Sequence, residues 1–155
     1  MHIKIASPAD IPSLCELLSL LFSQEVEFKP NPEAHAGGLS RIISNPEVGV
    51  VFAAKEENQI VGMVNLLFTV STALGDKVAL LEDRVVAPSV RGAGVGSQLL
   101  DRAITFARAQ GCQRITLLTD SSNESAQRFY RKHRFLVSSM VPLRLSLTCE
   151  GAFGV

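Results

Sequence analysis

A chain of 155 residues, 46% of them hydrophobic and 19% charged, is long enough to fold as one globular domain and too apolar for the disordered class. Lysine plus arginine (15) balances aspartate plus glutamate (15), so net charge gives no reason to expect nucleic acid or a membrane surface as partner. Cys15, Cys112 and Cys149 are too widely spaced for a metal knuckle or a disulfide framework, and the opening residues, Lys4 among them, do not read as a secretory signal. The longest apolar run, residues 60–70 with Asn65 interrupting it, falls short of the ~20 residues that span a bilayer. A cytoplasmic protein is the expectation.

In chain order, residues 2–6 alternate and predict a short strand. Ser7-Pro8-Ala9-Asp10 reads as a helix start, with Ser7 as N-cap, proline in the first turn and an acid facing the helix dipole. Ile11, Leu14, Leu18, Leu21 and Phe22 continue at helical spacing. Asn31-Pro32 repeats the cap-and-proline signature for a second helix towards Ile43, weakened by Gly37-Gly38. Strand-like runs over 48–54 and 60–70 flank the polar residues 55–59, a hairpin signal, and Gly75-Asp76 turns into a third run over 77–87. Residues 95–110 give the clearest helix: Val95, Leu99, Leu100, Ala103, Ile104 and Ala107 make one stripe, and Gly111 ends it. A strand over 114–119, a short helix over 123–133 and closing strands over 135–141 and 143–147 complete the reading.

The order β-α-α-β-β-β-α-β-α-β-β describes a mixed α/β domain over 1–147 with a tail at 148–155. Its strand-helix-strand crossovers imply parallel neighbours. About six or seven strands in one twisted sheet, flanked by about four helices, are expected.

The informative stretch runs from Leu81 to Ser97, LEDRVVAPSVRGAGVGS. A strand ends near Pro88, a turn containing Arg91, Gly92, Ala93, Gly94, Val95, Gly96 and Ser97 follows, and a helix begins. Such a junction points backbone N–H groups and the positive end of a helix dipole at one spot, which suits phosphate. Gly92, Gly94 and Gly96 allow close approach and positive φ. Two other phosphate loops fail on spacing: Ser97 stands where a dinucleotide fingerprint needs its last glycine, and no lysine completes a nucleotide-triphosphate loop.

Arg91, Gly94 and Gly96 fit Arg/Gln-x-x-Gly-x-Gly/Ala, the central signature of the GNAT superfamily of N-acetyltransferases, and the stretch resembles it. A second motif of that superfamily is matched by Asn123, Ala126, Phe129, Tyr130 and Phe135, except that Arg134 replaces the usual glycine before the phenylalanine. Ile3 to Ala6 followed by Asp10-Ile11 resembles its weaker N-terminal pattern, so the resemblance covers roughly residues 2–147. It implies acetyl-CoA as co-substrate, an amine as acceptor, and a pantetheine arm near Asn123, Ala126 and Phe129, with the Tyr130 hydroxyl near the thioester sulfur. Backbone N–H groups of Val85 or Val86 are implied donors to the thioester, on a strand that members of the superfamily splay from its neighbour.

Acetylating an amine requires loss of a proton from nitrogen, a donor for the oxyanion and an acid for the departing thiolate. Tyr130, a phenol with a pKa of about 10, is the acid candidate. Glu82 acting through water is the favoured base, with Asp83 or a water chain as alternatives. The two are adjacent on a strand and face opposite ways unless a bulge intervenes. Asp120 reads as a turn or cap residue, His133 as a rim residue, and His2 and His35 have no partner visible in sequence. No Cys/His/Asp cluster has metal-ligand spacing, so no metal is expected. The rival from another class is an acyl-CoA sensor without catalysis. Residues 22–39 and 71–76 are expected to frame the acceptor, where Glu25, Glu27 and Asp76 point to a cation. The apolar alternation over 135–147 suggests a homodimer.

Overall fold

A computed structural model of the chain describes residues 1–25 and 27–148. Its contacts fall into two units, Met1–Leu117 and Leu118–Val155. The first holds β1 (His2–Ile5), α1 (Ile11–Ser23), α2 (Pro32–Ile43), β2 (Gly49–Glu56), β3 (Gln59–Ser71), β4 (Asp76–Val86), α3 (Val95–Ala109) and β5 (Ile115–Leu117). The second holds α4 (Glu124–Lys132).

The predicted helix starts are visible in their hydrogen bonds. The Asp10 carboxylate accepts from the Ser7 N–H at 2.8 Å and from Lys4 Nζ at 2.6 Å, closing a 3-10 turn over Pro8–Asp10 from which α1 departs. Asn31 Oδ1 accepts from the Ala34 N–H at 3.2 Å and caps α2, which runs to Ile43 as expected despite its two glycines.

The five strands form one sheet in the order β1-β2-β3-β4-β5. β1 to β4 pair antiparallel, and β5 lies parallel to β4. Only one crossover therefore behaves as its pattern implied. A single helix, α3, returns the chain to a parallel neighbour. The α1–α2 connection reverses direction once more and delivers β2 antiparallel to β1.

Alternation along the strands divides the core. Val51, Ala53, Met63 and Val85 pack with Leu14, Leu17, Leu18 and Leu39 of α1 and α2. The intervening residues face α3, whose buried Val95, Leu99, Leu100, Ala103 and Ala107 reproduce the predicted stripe except for Ile104, which is half-buried. Phe52 of β2 meets Phe106 of α3 edge-on at 5.3 Å. Gly62 is the contact point between α3 and β3: a Cβ there would stand 3.0 Å from Leu99 Cδ1 and 3.2 Å from Val95 Cγ1. That close approach seats the start of α3 on the sheet.

In the second unit, Asn123 Oδ1 accepts from the Ala126 N–H at 3.0 Å and caps α4. The helix ends in two reverse bonds, Arg134 N–H to Arg131 C=O at 2.9 Å and Phe135 N–H to Tyr130 C=O at 3.1 Å. Arg134 takes φ +70°, the left-handed conformation that this ending requires, although it is not glycine. The strands expected over 135–141 and 143–147 are not formed, so the sheet has five strands instead of six or seven. Alternation says which side chains share a face, but a strand exists only where a neighbour pairs with it. Leu143, Leu145 and Leu147 stand 92%, 83% and 90% exposed. Cys149 and the tail beyond Thr148 lie outside the described residues.

Candidate functional site

Strand β4 carries the first part of the site. Its pairing with β3 slips between Met63↔Val85 and Asn65↔Glu82, so Asp83 and Arg84 together oppose Val64 alone. This is a β-bulge, and Asp83 adopts φ +52° within it. The Asp83 carboxyl reaches Asn65, whose Nδ2 donates to Asp83 Oδ2 at 2.9 Å. Register places Glu82 on the face of Asn65, directly across from it. Both carboxyl groups thus share one side of the sheet. Glu82 is exposed and Asp83 half-buried.

Burial raises the Asp83 pKa above its ordinary value, opposed by the Asn65 hydrogen bond and, after it, by His35 on α2. The His35 ring lies 4.9 Å from that of Phe22, and its Nε2 accepts from the Asn31 N–H at 2.9 Å. Asn65 itself was not singled out from sequence as a site residue. Its signal was present as one amide inside an otherwise apolar strand, a position that demands a polar partner.

Beyond Leu81, β4 leaves its parallel neighbour: β5 pairs only with Ala79, Leu80 and Leu81. The Ala87 N–H donates to Val61 C=O at 2.8 Å, so alternate residues set the Val85 N–H into the β3 ladder and turn Val86 away from it. The Val86 carbonyl accepts from Arg91 Nε at 3.1 Å, which pins the turn to the end of the strand. Of the two expected backbone donors, Val86 is the one directed at the open edge.

The turn itself is exposed from Arg91 to Gly94. Gly92 and Gly94 take φ +83° and +81°, and Gly94 is the N-cap of α3. Gly96 differs from the expectation: it lies in the first helical turn with Val95 and Ser97 and needs no positive φ. The first-turn N–H groups of a 15-residue helix face this turn.

In the second unit, Tyr130 is buried on α4, edge-on to Phe129 at 5.3 Å and to Phe135 at 5.6 Å. Asn123 precedes the helix as its cap, its side chain engaged by the Ala126 N–H. Asp120 lies in the turn before α4, as expected, with its carbonyl accepting from the Asn123 N–H at 2.9 Å. His133 packs its ring 4.9 Å from Phe129. No three His, Cys, Asp or Glu side chains converge among the described residues, and no described helix is long and apolar enough to cross a membrane. A surface concavity of about 440 Å³ at Asn45, Pro46, Glu47 and Val48 includes none of the site residues.

Known proteins place this arrangement. The Acetyltransferase (GNAT) family model matches residues 11–135. The uncharacterized N-acetyltransferase YhfO of Bacillus subtilis is 28% identical over 138 residues, 87% of this chain and 89% of its own length. Aminoalkylphosphonate N-acetyltransferase of Salmonella typhimurium is 26% identical over 134 residues, covering 86% and 84%. A solved "predicted acetyltransferase with acetyl-CoA" from Clostridium acetobutylicum has the same fold, with a TM-score of 0.77 over 94% of this chain and 96% of that one at 21% identity. The matched segment runs from the start of α1 past the splayed strand and the glycine turn to Phe135, and on it the chain is an acetyltransferase belonging to the Acetyltransferase (GNAT) family.

Proposed function

We propose that this acetyltransferase moves the acetyl group of acetyl-CoA directly to a primary amine of a small molecule or peptide, in a ternary complex without an acyl-enzyme. The observation that carries this reading is the junction of β4 and α3. An exposed turn with two left-handed glycines runs into a helix N-terminus, beside a strand end that has parted from its neighbour. Pyrophosphate is held by Arg91, Gly92, Ala93 and Gly94 and by the first-turn N–H groups of Val95, Gly96 and Ser97. The pantetheine arm follows Val85 and Val86, and the Val86 N–H donates to the thioester oxygen as it becomes an oxyanion. The resemblance of residues 123–135 to the second motif supports Asn123, Ala126 and Phe129 as further cofactor residues.

An ammonium acceptor must first lose a proton, which Glu82 takes through water. The freed lone pair attacks the thioester carbon and forms the C–N bond. Collapse of the tetrahedral intermediate breaks the C–S bond, and Tyr130 protonates the departing thiolate. Nitrogen sheds its second proton, Tyr130 regains its own from solvent, and the reaction releases one net proton. The activity on aminoalkylphosphonates in the name of the Salmonella relative supports a small amine. The exposed apolar run ending in Leu143, Leu145 and Leu147 supports a homodimer as the working unit.

A panel of primary amines, including an aminoalkylphosphonate and a peptide N-terminus, tests the proposal with acetyl-CoA and continuous detection of free CoA thiol. Steady release that depends on the amine is expected, with intersecting initial-velocity lines. Binding of CoA with no release for any amine would leave the sensor reading in its place.

A further inference from the structure

The Asn65–Asp83 pair is more specific than a core amide needs to be. Asn65 is 2% exposed in the middle of an apolar strand, and its Nδ2 donates to Asp83 Oδ2 at 2.9 Å. Its Oδ1 is buried with no hydrogen-bond partner among the described residues. Asp83 makes this contact from within the bulge, at a left-handed φ of +52°. A bulged residue and an orphaned acceptor thus meet at a single contact. A core built for packing alone would place an aliphatic residue at position 65 and leave β4 regular.

The missing partner of Oδ1 indicates what the contact is for. A carboxylate offers Asn65 acceptors only, so it satisfies Nδ2 and leaves Oδ1 alone. A carboxylic acid offers one acceptor and one O–H, which matches both arms of a carboxamide. The amide is complete when Asp83 has gained a proton.

We propose that Asp83 is a second proton acceptor of the transfer reaction and that Asn65 is its positioning residue. Resting on the amine-acetylation reading above, the proposal adds a destination for the second proton that nitrogen must shed. Glu82, on the same face, takes the first through water. As the C–N bond forms, the N–H bond of the tetrahedral intermediate breaks, its electron pair stays on nitrogen, and the proton passes to an Asp83 oxygen. The new O–H then donates to Asn65 Oδ1, and solvent later returns Asp83 to its ionised form. The surroundings suit such a cycle. α1 presents the apolar Leu14, Leu17 and Leu18 to this face, and Glu82 and Arg84 flank Asp83 along its own strand.

The test joins carbon-13 carboxyl NMR with pH–rate profiles. Asp83→Asn keeps a residue type that tolerates positive φ, so it is expected to fold and to bind acetyl-CoA normally. Its kcat should fall by ~10²-fold, the scale of one positioned base. Asn65→Leu removes the Nδ2 donor from the ionised carboxylate. The Asp83 titration should move to higher pH, and the acidic limb of kcat/KM should move with it. A residue that only fills space would lower the rate without moving the limb. Wild-type turnover in Asp83→Asn, or a limb that stays put while the Asp83 titration shifts, would overturn the proposal. Wild-type protein that acetylates no amine would instead overturn the function on which it rests.

Discussion

Asp83 brings a charge to a place that resists it, and the cost should appear in stability. Burial raises its pKa in the folded protein above the ordinary 3.8, against the opposing effects of Asn65 and His35. Between those two values the folded state holds a proton that the unfolded state has lost, so stability falls as pH rises through that window. Asp83→Asn removes the titration. The variant should be more stable than wild type in urea at neutral pH, and the advantage should vanish in acid, where wild-type Asp83 is neutral in both states. An advantage of equal size at both pH values would mean that burial of the charge is not its source. A residue that weakens the fold yet is needed for turnover is a familiar compromise at working sites. Tyr130 gives the complementary case. Its ring packs edge-on between Phe129 and Phe135, so Tyr130→Phe should keep the folded fraction and the CoA affinity. If the hydroxyl protonates the thiolate, kcat should fall by ~10²-fold, and by less with acyl donors whose thiols are more acidic. Near-normal turnover with the best amine would assign that proton to water.

At the scale of elements, both ends of the matched motifs depend on left-handed residues. The ending of α4 has the hydrogen bonds and the Tyr130–Phe135 contact of a glycine-terminated helix, but Arg134 occupies the left-handed position. A non-glycine residue there costs ~1 kcal/mol. Arg134→Gly should therefore raise Tm by ~2–4 °C with kcat unchanged, and calorimetry that finds no increase would show that arginine makes a compensating contact. The N-terminus of α3 has glycine where it is needed. A Cβ on Gly94 would meet nothing within 4 Å, so Gly94→Asp threatens the fold through its φ of +81° and not through a clash. The variant should still melt cooperatively. Acetyl-CoA is expected to raise the wild-type Tm by binding only the folded state and to lose this effect in the variant, because a carboxylate would stand at the proposed pyrophosphate site. An equal shift in both proteins would remove this turn from the cofactor site.

At the scale of the whole molecule, the second unit leaves a row of large apolar side chains uncovered, Leu143, Leu145 and Leu147 among them. Exposure of that kind supports the proposed homodimer. Light scattering is expected to return twice the chain mass at micromolar concentration, and Leu145→Glu should return the monomer. A monomer mass for wild type across a hundredfold range of concentration would count against the dimer.

The elements whose order follows from local chemistry were legible without coordinates. Asn31-Pro32 marked α2, the stripe from Val95 to Ala107 marked α3, and the spacing of Arg91, Gly94 and Gly96 identified the family before any fold was known. Caps, helical periodicity and turn glycines act within a few residues, so one chain read in order contains them. What depends on a neighbour did not follow from the chain alone. Alternation over 143–147 was the pattern of a strand, but pairing requires a second strand to supply the ladder. The bulge at Asp83 sets one extra residue against Val64 of β3, and a bulge is a property of two strands in register. Sequence established that two acids sit side by side near the strand end. Tertiary structure put both on one face and gave one of them Asn65, because only the paired sheet brings residues 65 and 83 within a hydrogen bond of each other.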